Sequence, residues 1–464
     1  MVFCCANGVE PQTTGFAVVV LFVAVSSVTS VSSVVQGCSR SSNLNRSLFD
    51  DAHVASIDER ARFITDFARR LHLAGVSAQR LEGAVTSTAK AIGVDCEIWS
   101  SPTGILLSIG EGGDASTQLT RVLRLEPANP DLSDLVALDR IAEDVIAGRL
   151  NVVEASTRLR ALDRAPDRKD LAWTVVAFGL AAAAVAGLLR TSWVDIGVAG
   201  SLGLISGVIA VMARSRPHLY AAAEAIAAIV ATVLAAAFAH FVAPLSIQTV
   251  VIASLIVFMP GLTLTTAVNE LASGQLVTGT ARFAGAMVVL FKLTFGTIAG
   301  AQIAGALGWR PEVAVPSALP AIVEVIATIA ASFSFAILFR AARRDIPLVM
   351  LSAILGYVLT RVGSTWFEQS QTIAFAGAVF FSSLVMGALS NLYGRLAGRP
   401  GTLVRLPAIM LLVPGSVGFR GLSSFMERDY SLGLETGVAV LSALVALMAG
   451  LLFGSVLIPP RRYL

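Results

Sequence analysis

Beyond residue 170 the chain alternates long apolar runs with short polar segments rich in arginine. Ten runs are long enough to cross a hydrocarbon core of about 30 Å. They lie at 171–189, 196–212, 219–241, 245–262, 283–307, 317–339, 346–362, 371–394, 403–420 and 437–458. Each is continuously apolar rather than alternating, which predicts helices and not barrel strands. Several are rich in Ala and Gly, residues that let helices approach closely in lipid. The pattern before residue 170 is different. Apolar positions recur at helical spacing over 54–70 (Ile57, Phe63, Phe67) and 77–91 (Leu81, Val85, Ala89). Three β-like runs follow at Val94–Ser100, Gly104–Ile109 and Gln118–Leu125, and helical patterns return at 131–147 and 151–163. The predicted fold is mainly α: a polytopic membrane protein of ten transmembrane helices preceded by a small α+β domain. Four regions are expected: an N-terminal extension over 1–50, a soluble domain over 51–170, and two membrane units over 171–310 and 311–464.

Composition sharpens this division. The first 170 residues carry 38 charged side chains and the remaining 294 carry 27. That excludes a purely soluble enzyme, a disordered chain and a secreted disulfide scaffold. The net charge of +3 gives no reason to expect a nucleic-acid partner. Cys4, Cys5, Cys38 and Cys96 show no metal or disulfide spacing and read as free thiols. The weakly apolar stretch 16–35 lacks the basic start of a signal peptide and has Glu10 before it. It reads either as an extra anchor or as the product of a start codon assigned too early. If the ten spans alternate, one side collects 11 Arg (214, 216, 282, 340, 343, 344, 395, 399, 405, 461, 462) and the other five (190, 310, 361, 420, 428). The positive-inside rule makes the Arg-rich side cytoplasmic, so the soluble domain and the C-terminus are expected in the cytosol of a cell (inner) membrane.

A shift of 154 residues superimposes the two membrane units. Pro260–Gly261 falls on Pro414–Gly415, Gly279 on Gly433, and Gly296-x-x-x-Gly300 on Gly450-x-x-x-Gly454. Each unit holds five spans. Five is odd, so the second copy would enter the membrane from the opposite side, giving the inverted repeats of many secondary transporters. Proline within a span frees backbone groups that protein, water or ligand must satisfy. Broken helices in matching positions point to a midplane binding site. The candidate substrate site is therefore Pro260, Gly261, Thr263, Thr266 and Asn269 from one copy and Pro414, Gly415, Ser416 and Arg420 from the other. The fork of Arg420 suits a carboxylate.

Charged residues inside the spans add a second candidate function. Lys292 is one of three lysines in the chain and the single one beyond residue 170. A lysine at bilayer depth costs about 2.5–3.5 kcal/mol, so it calls for a partner or a role. Glu224 and Glu324 are its candidate partners, and Glu270 lies near the cytoplasmic end of the first broken region. Buried carboxylates can titrate near neutral pH. Lys292, Glu224, Glu324 and Glu270 are thus the proton-coupling candidates. The soluble region offers no catalytic constellation, and His72 reads as a residue at a helix end. No metal or cofactor is expected. Membrane lipid, a small substrate and protons are the expected partners, and a homo-oligomer is left open.

The run LHLAGVSAQRLEGAVTSTAKAIGV (71–94), then PTGILLSIG (102–110), five spans, and LVPGSVGFRGLS (412–423) resembles the threonine/serine exporter family over roughly residues 56–460. The resemblance implies a cytosolic N-terminal domain, ten spans, and export of threonine and serine driven by the proton motive force. The family includes split two-subunit relatives associated with succinate export, so dicarboxylate export is an alternative. The family motif falls on Pro414, Gly415, Gly418, Arg420 and Gly421. A membrane-anchored sensor or enzyme acting through residues 56–165 is a further alternative.

Overall fold

The computed structural model describes residues 55–110, 118–163, 167–310, 312, 319–366, 371–412, 415–426 and 430–460. Four helices and one sheet form the N-terminal unit: α1 (Ile57–Leu73), α2 (Ala78–Ala91), β1 (Asp95–Ser101), β2 (Gly104–Gly110), β3 (Leu119–Arg124), α3 (Leu132–Ile146) and α4 (Val152–Ala161). Helix α1 opens with a capping box in which Ser56 and Glu59 satisfy each other's free backbone amides. The strands form an antiparallel meander in the order β1-β2-β3. Alternation on β2 turns Ile105, Leu107 and Ile109 inward, where they meet Phe63, Phe67, Leu81 and Leu138. Gly75 ends the turn after α1 with φ +72, and a Cβ there would lie 2.7 to 2.9 Å from backbone atoms of Asn129 and Pro130. Only glycine meets both demands.

His72 is buried under this unit, its Nε2 3.2 Å from the Glu126 carbonyl. Burial holds its pKa below the ordinary histidine value of 6.5. A depressed value means the folded state resists the proton, so this stability is present above pH 6.5 and is lost as pH falls through the lower folded value. Thermal melting of the full chain should therefore fall with pH below 6.5, and H72Q should flatten that dependence. Cys96 is a free thiol that burial and the neighbouring Glu97 push up to about 11. Cys4, Cys5, Cys38 and the stretch 16–35 lie outside the described residues.

The membrane region begins with α5 (Arg168–Leu188), α6 (Trp193–Ala213) and α7 (Pro217–Phe241). The fourth span is broken: α8 (Ile247–Ser254), a 3-10 turn (Ile256–Phe258) and α9 (Gly261–Ala272), bent by 54°. Helix α10 (Leu276–Ala306) follows. The remaining elements are α11 (Ala321–Leu338), α12 (Ile346–Trp366), α13 (Gln371–Ala397), α14 (Thr402–Leu412), α15 (Gly415–Met426) and α16 (Tyr430–Leu457). Nine stretches among the described residues are long and apolar enough to cross a membrane, ten with the bent pair counted as one. Every helix start in the second set falls within one residue of its counterpart plus 154. Large apolar side chains recur exposed at helical spacing, such as Val288, Phe291 and Phe295 on α10 and Ile322, Val325, Ile326 and Ile329 on α11. Such a stripe suits lipid and not water.

Two expectations shift in detail. The fifth span begins at Leu276 rather than 283, so Arg282 sits inside α10 and not in a loop. Its first turns carry Thr278, Thr280 and Arg282, and contacts with the N-terminal unit satisfy that polar side: Thr278 Oγ1 donates to the Ser100 carbonyl at 2.9 Å. The fourth span also runs past its Pro-Gly step to Ala272, and the ninth runs to Met426.

The repeated glycines have one packing role in each copy. A Cβ on Gly296 would lie 2.5 Å from the Ala225 carbonyl oxygen, and one on Gly300 2.8 Å from Thr232 Cβ, both on α7. A Cβ on Gly450 would overlap Ser383 and the Phe380 carbonyl of α13, and one on Gly454 would lie 2.7 Å from the Leu384 carbonyl oxygen. The fifth helix of each copy therefore meets the third by backbone-to-backbone approach.

Candidate functional site

The fourth span breaks because Pro260 has no amide hydrogen to give to the preceding turn. The Gly261 amide donates instead to the Met259 carbonyl at 2.8 Å, and α9 starts afresh with Pro260 as an N-cap that offers no side-chain acceptor. The first amides of such a helix lack intrahelical acceptors and carry the positive end of its dipole. The structure describes α15 from Gly415 onward. A Cβ on Gly415 would lie 3.2 Å from Gly261 Cα and 3.4 Å from its N. The N-terminus of α9 thus meets α15 at two glycines, which permit the approach because neither has a side chain.

Around this crossing the candidate residues are distributed as follows. Pro260 and Gly261 are buried, and Thr263, Thr266 and Asn269 are half-buried along α9. Pro414 lies outside the described residues. Ser416 and Arg420 are half-buried on α15. Thr265 is buried and its hydroxyl donates to the Gly261 carbonyl at 3.1 Å. The Ser423 hydroxyl on α15 is buried and makes no hydrogen bond. Phe419 of α15 packs with Leu264 of α9 and Leu290 and Leu293 of α10, so both copies share one core here. Among the described residues, no ion pair involves Arg420.

The intramembrane charges separate into three groups. Lys292 of α10 pairs with Glu224 of α7 at 3.6 Å, one turn before the Gly296 contact. Glu324 of α11 is not brought to Lys292. It accepts from the Tyr357 hydroxyl at 2.8 Å and faces Arg361 at 3.4 Å, both on α12. Glu270 of α9 is 1% exposed and pairs with Arg282 of α10 at 3.0 Å.

Glu270 also reaches out of the bundle. Its Oε1 accepts the Ala78 amide, at the N-terminus of α2, at 3.2 Å. The α2 N-cap, Ser77, makes no side-chain cap bond, so Glu270 takes the place of the cap. Two residues on, Arg80 Nη1 donates to Thr402 Oγ1 at 3.0 Å, at the start of α14. Glu82 accepts from the Ser100 amide and from Gln275 Nε2, both at 2.9 Å. Helix α3 completes the seam: the Leu132 amide donates to the Phe339 carbonyl, Asp131 pairs with Arg340 at 3.3 Å, and Leu132 and Val136 pack with Phe335, Phe339 and Leu403. The first turn of α2 therefore touches the fourth span through Glu270 of α9 and the ninth span through Thr402 of α14. Sequence reasoning missed Arg80, Glu82, Thr278, Thr402 and Arg405. The one available signal was Ser77 followed by Arg80 and not an acid, a helix start with no capping box of its own.

Two family models, both described as threonine/serine exporters, match this chain, one over residues 62–304 and the other over 324–457. Yeast proteins called pheromone-regulated membrane protein 10 are similar to it. The Debaryomyces hansenii protein is 28% identical over 79% of this chain and 36% of its own length. The Yarrowia lipolytica protein is 26% identical over 80% and 31%. The Saccharomyces cerevisiae protein is 23% identical over 88% and 55%. The chain thus spans between a third and about half of the length of these relatives. No solved structure matches it. The apolar spans and the matched models together assign the protein: it is a membrane protein belonging to the threonine/serine exporter family.

Proposed function

We propose that this chain exports small polar amino acids, threonine and serine, by secondary active transport coupled to the proton gradient. The observation that carries this reading is the meeting of the α9 N-terminus at Gly261 with Gly415 of the ninth span. The free amides and positive dipole end of α9 suit the carboxylate of an amino acid. The half-buried Thr263, Thr266, Asn269 and Ser416 supply hydroxyls and an amide for its polar side chain and ammonium group. Arg420, with no acidic partner among the described residues, would face the carboxylate from the other side of Gly415.

The membrane region is read as two five-span copies turned upside down relative to each other. The recurrence of helix starts supports this, and so do the loop contacts. The N-terminal unit touches Gln275 between α9 and α10, Phe339 and Arg340 after α11, and Thr402 before α14. All three connections fall on one side when ten spans alternate. The connections after α7 and α10 contact each other through Leu245 and Glu312, and these fall on the other side. The arginine count makes the first side cytosolic. The seam with the N-terminal unit would then lie at the inner mouth of the transport path.

Proton coupling is assigned to Lys292–Glu224 and Glu270–Arg282. Protonating either carboxylate would leave a cation unpaired within the bundle, a cost that a change of conformation can relieve. Replacing Lys292 by Ala is expected to lower export at least tenfold while insertion persists. Wild-type rates in vesicles would remove Lys292 from the mechanism. Arg420, in no ion pair among the described residues, also favours a second reading, export of dicarboxylates, which need more positive charge than a zwitterion does. Counterflow in proteoliposomes with labelled threonine, serine and succinate under an imposed pH gradient decides between them. Accelerated threonine efflux supports the first reading, succinate alone the second, and no flux of any of the three rejects both.

A further inference from the structure

Thr402 links Arg80 of the N-terminal unit to the helix turn that carries Arg405 in the ninth span, and among the described residues no ion pair involves either arginine. Thr402 and Arg405 are three residues apart on α14, neighbours on one helix face. Arg80 reaches that face from α2 and donates to the Thr402 hydroxyl at 3.0 Å. Thr402 is buried and both arginines are half-buried. Burial first, and then the positive charge of Arg405, hold the Arg80 guanidinium well below the usual arginine range. Among the described residues neither arginine belongs to an ion pair, although other seam charges do: Glu270 has Arg282 and Asp131 has Arg340. Two like charges held together away from water are costly unless a counter-charge joins them. Guanidinium forks and a hydroxyl together match the two oxygens of a carboxylate.

We propose that Arg80, Arg405 and Thr402 form a carboxylate-binding station at the inner end of the ninth span, completed by the N-terminal unit. This rests on the exporter reading and extends it. Arg405 precedes Gly415 and Arg420 follows it, so an exported acid would have one arginine site on each side of the crossing. The N-terminal unit is then part of the binding machinery, because it supplies Arg80.

The station is tested by binding, apart from transport. Isothermal titration of the purified full-length protein with sodium propionate, which has a carboxylate and no amine, should give heat above a sodium chloride control. R80Q and R405Q should each weaken propionate binding by about tenfold or more, and the double variant by little beyond the stronger single. R149Q, at an exposed ion pair with Asp144 on the N-terminal unit, should leave this binding unchanged. Equal propionate affinity in wild type, R80Q and R405Q overturns the station, as does heat from inorganic phosphate with none from propionate. Where a variant does not purify as a folded species, the wild type suffices: propionate should slow phenylglyoxal modification of Arg80 and Arg405, read by peptide mass spectrometry. Unchanged modification rates overturn it. Failure here with intact threonine efflux in vesicles rejects the station alone. Propionate binding that depends on both arginines, with no flux of any amino acid, keeps the station and rejects the exporter reading.

Discussion

Replacing Glu270 by Ala is expected to lower the stability of the full chain by about 3–5 kcal/mol, the usual cost of stripping one partner from a buried ion pair. Glu270 is 1% exposed and faces Arg282 at 3.0 Å. Without it Arg282, itself largely buried, keeps its charge and loses its counter-ion. The same substitution removes the acceptor of the Ala78 amide, so α2 loses its substitute cap, worth about 1 kcal/mol. Both losses fall on the seam. E270A should therefore expose α2 to proteolysis while the N-terminal core around Phe63 and Leu107 stays protected. E270Q keeps an acceptor for the amide but not the charge, and should fall between wild type and E270A. Melting of E270A at the wild-type temperature would show that the pair carries no such load.

Replacing Gly415 by Val is expected to abolish export while leaving the ten spans inserted. A lone Cβ would lie 3.2 Å from Gly261 Cα, tighter than most Cβ contacts, so Ala demands a shift of a few tenths of an ångström. Valine adds two methyl groups against the Gly261 backbone and drives the start of α9 away from α15. The free amides of α9 would then no longer face one ligand together with Ser416 and Arg420. Vesicle efflux should drop by more than tenfold in G415V and by less in G415A. Gly305, which has open space where a Cβ would sit, gives the control: G305A should export at the wild-type rate. Equal efflux in all three would place the substrate elsewhere.

The spans were legible in the sequence because lipid demands long continuous apolar runs, and all but the fifth and tenth spans start close to where those runs start. The repeat was legible because glycines at backbone contacts tolerate no substitute. Gly296 and Gly300 against α7, and Gly450 and Gly454 against α13, keep one spacing in both copies for one steric reason. The seam was not legible. Glu270 read as an isolated acid near a helix end, since its partners lie 12 residues ahead on α10 and 192 residues back on α2. Arg282 read as a loop charge because a span was expected to start at its first apolar run. A polar first turn continues that helix once another unit satisfies it, as Ser100 does for Thr278. Lys292 announced the need for a partner, but spacing alone did not separate Glu224 from Glu324. The packing of α7 against α10 does, through Gly296 one turn away.

The most direct test of the two-copy arrangement uses Phe241 and Arg395, which are 154 residues apart near the ends of α7 and α13, the third helices of the two copies. Single cysteines at these positions, in a chain otherwise free of cysteine, would be probed in intact cells with a membrane-impermeant maleimide. If the copies are upside down relative to each other, Phe241→Cys reacts from outside and Arg395→Cys reacts only after the membrane is opened. Reaction of both from the same side would contradict the inverted arrangement and, with it, a transport path at the Gly261–Gly415 crossing.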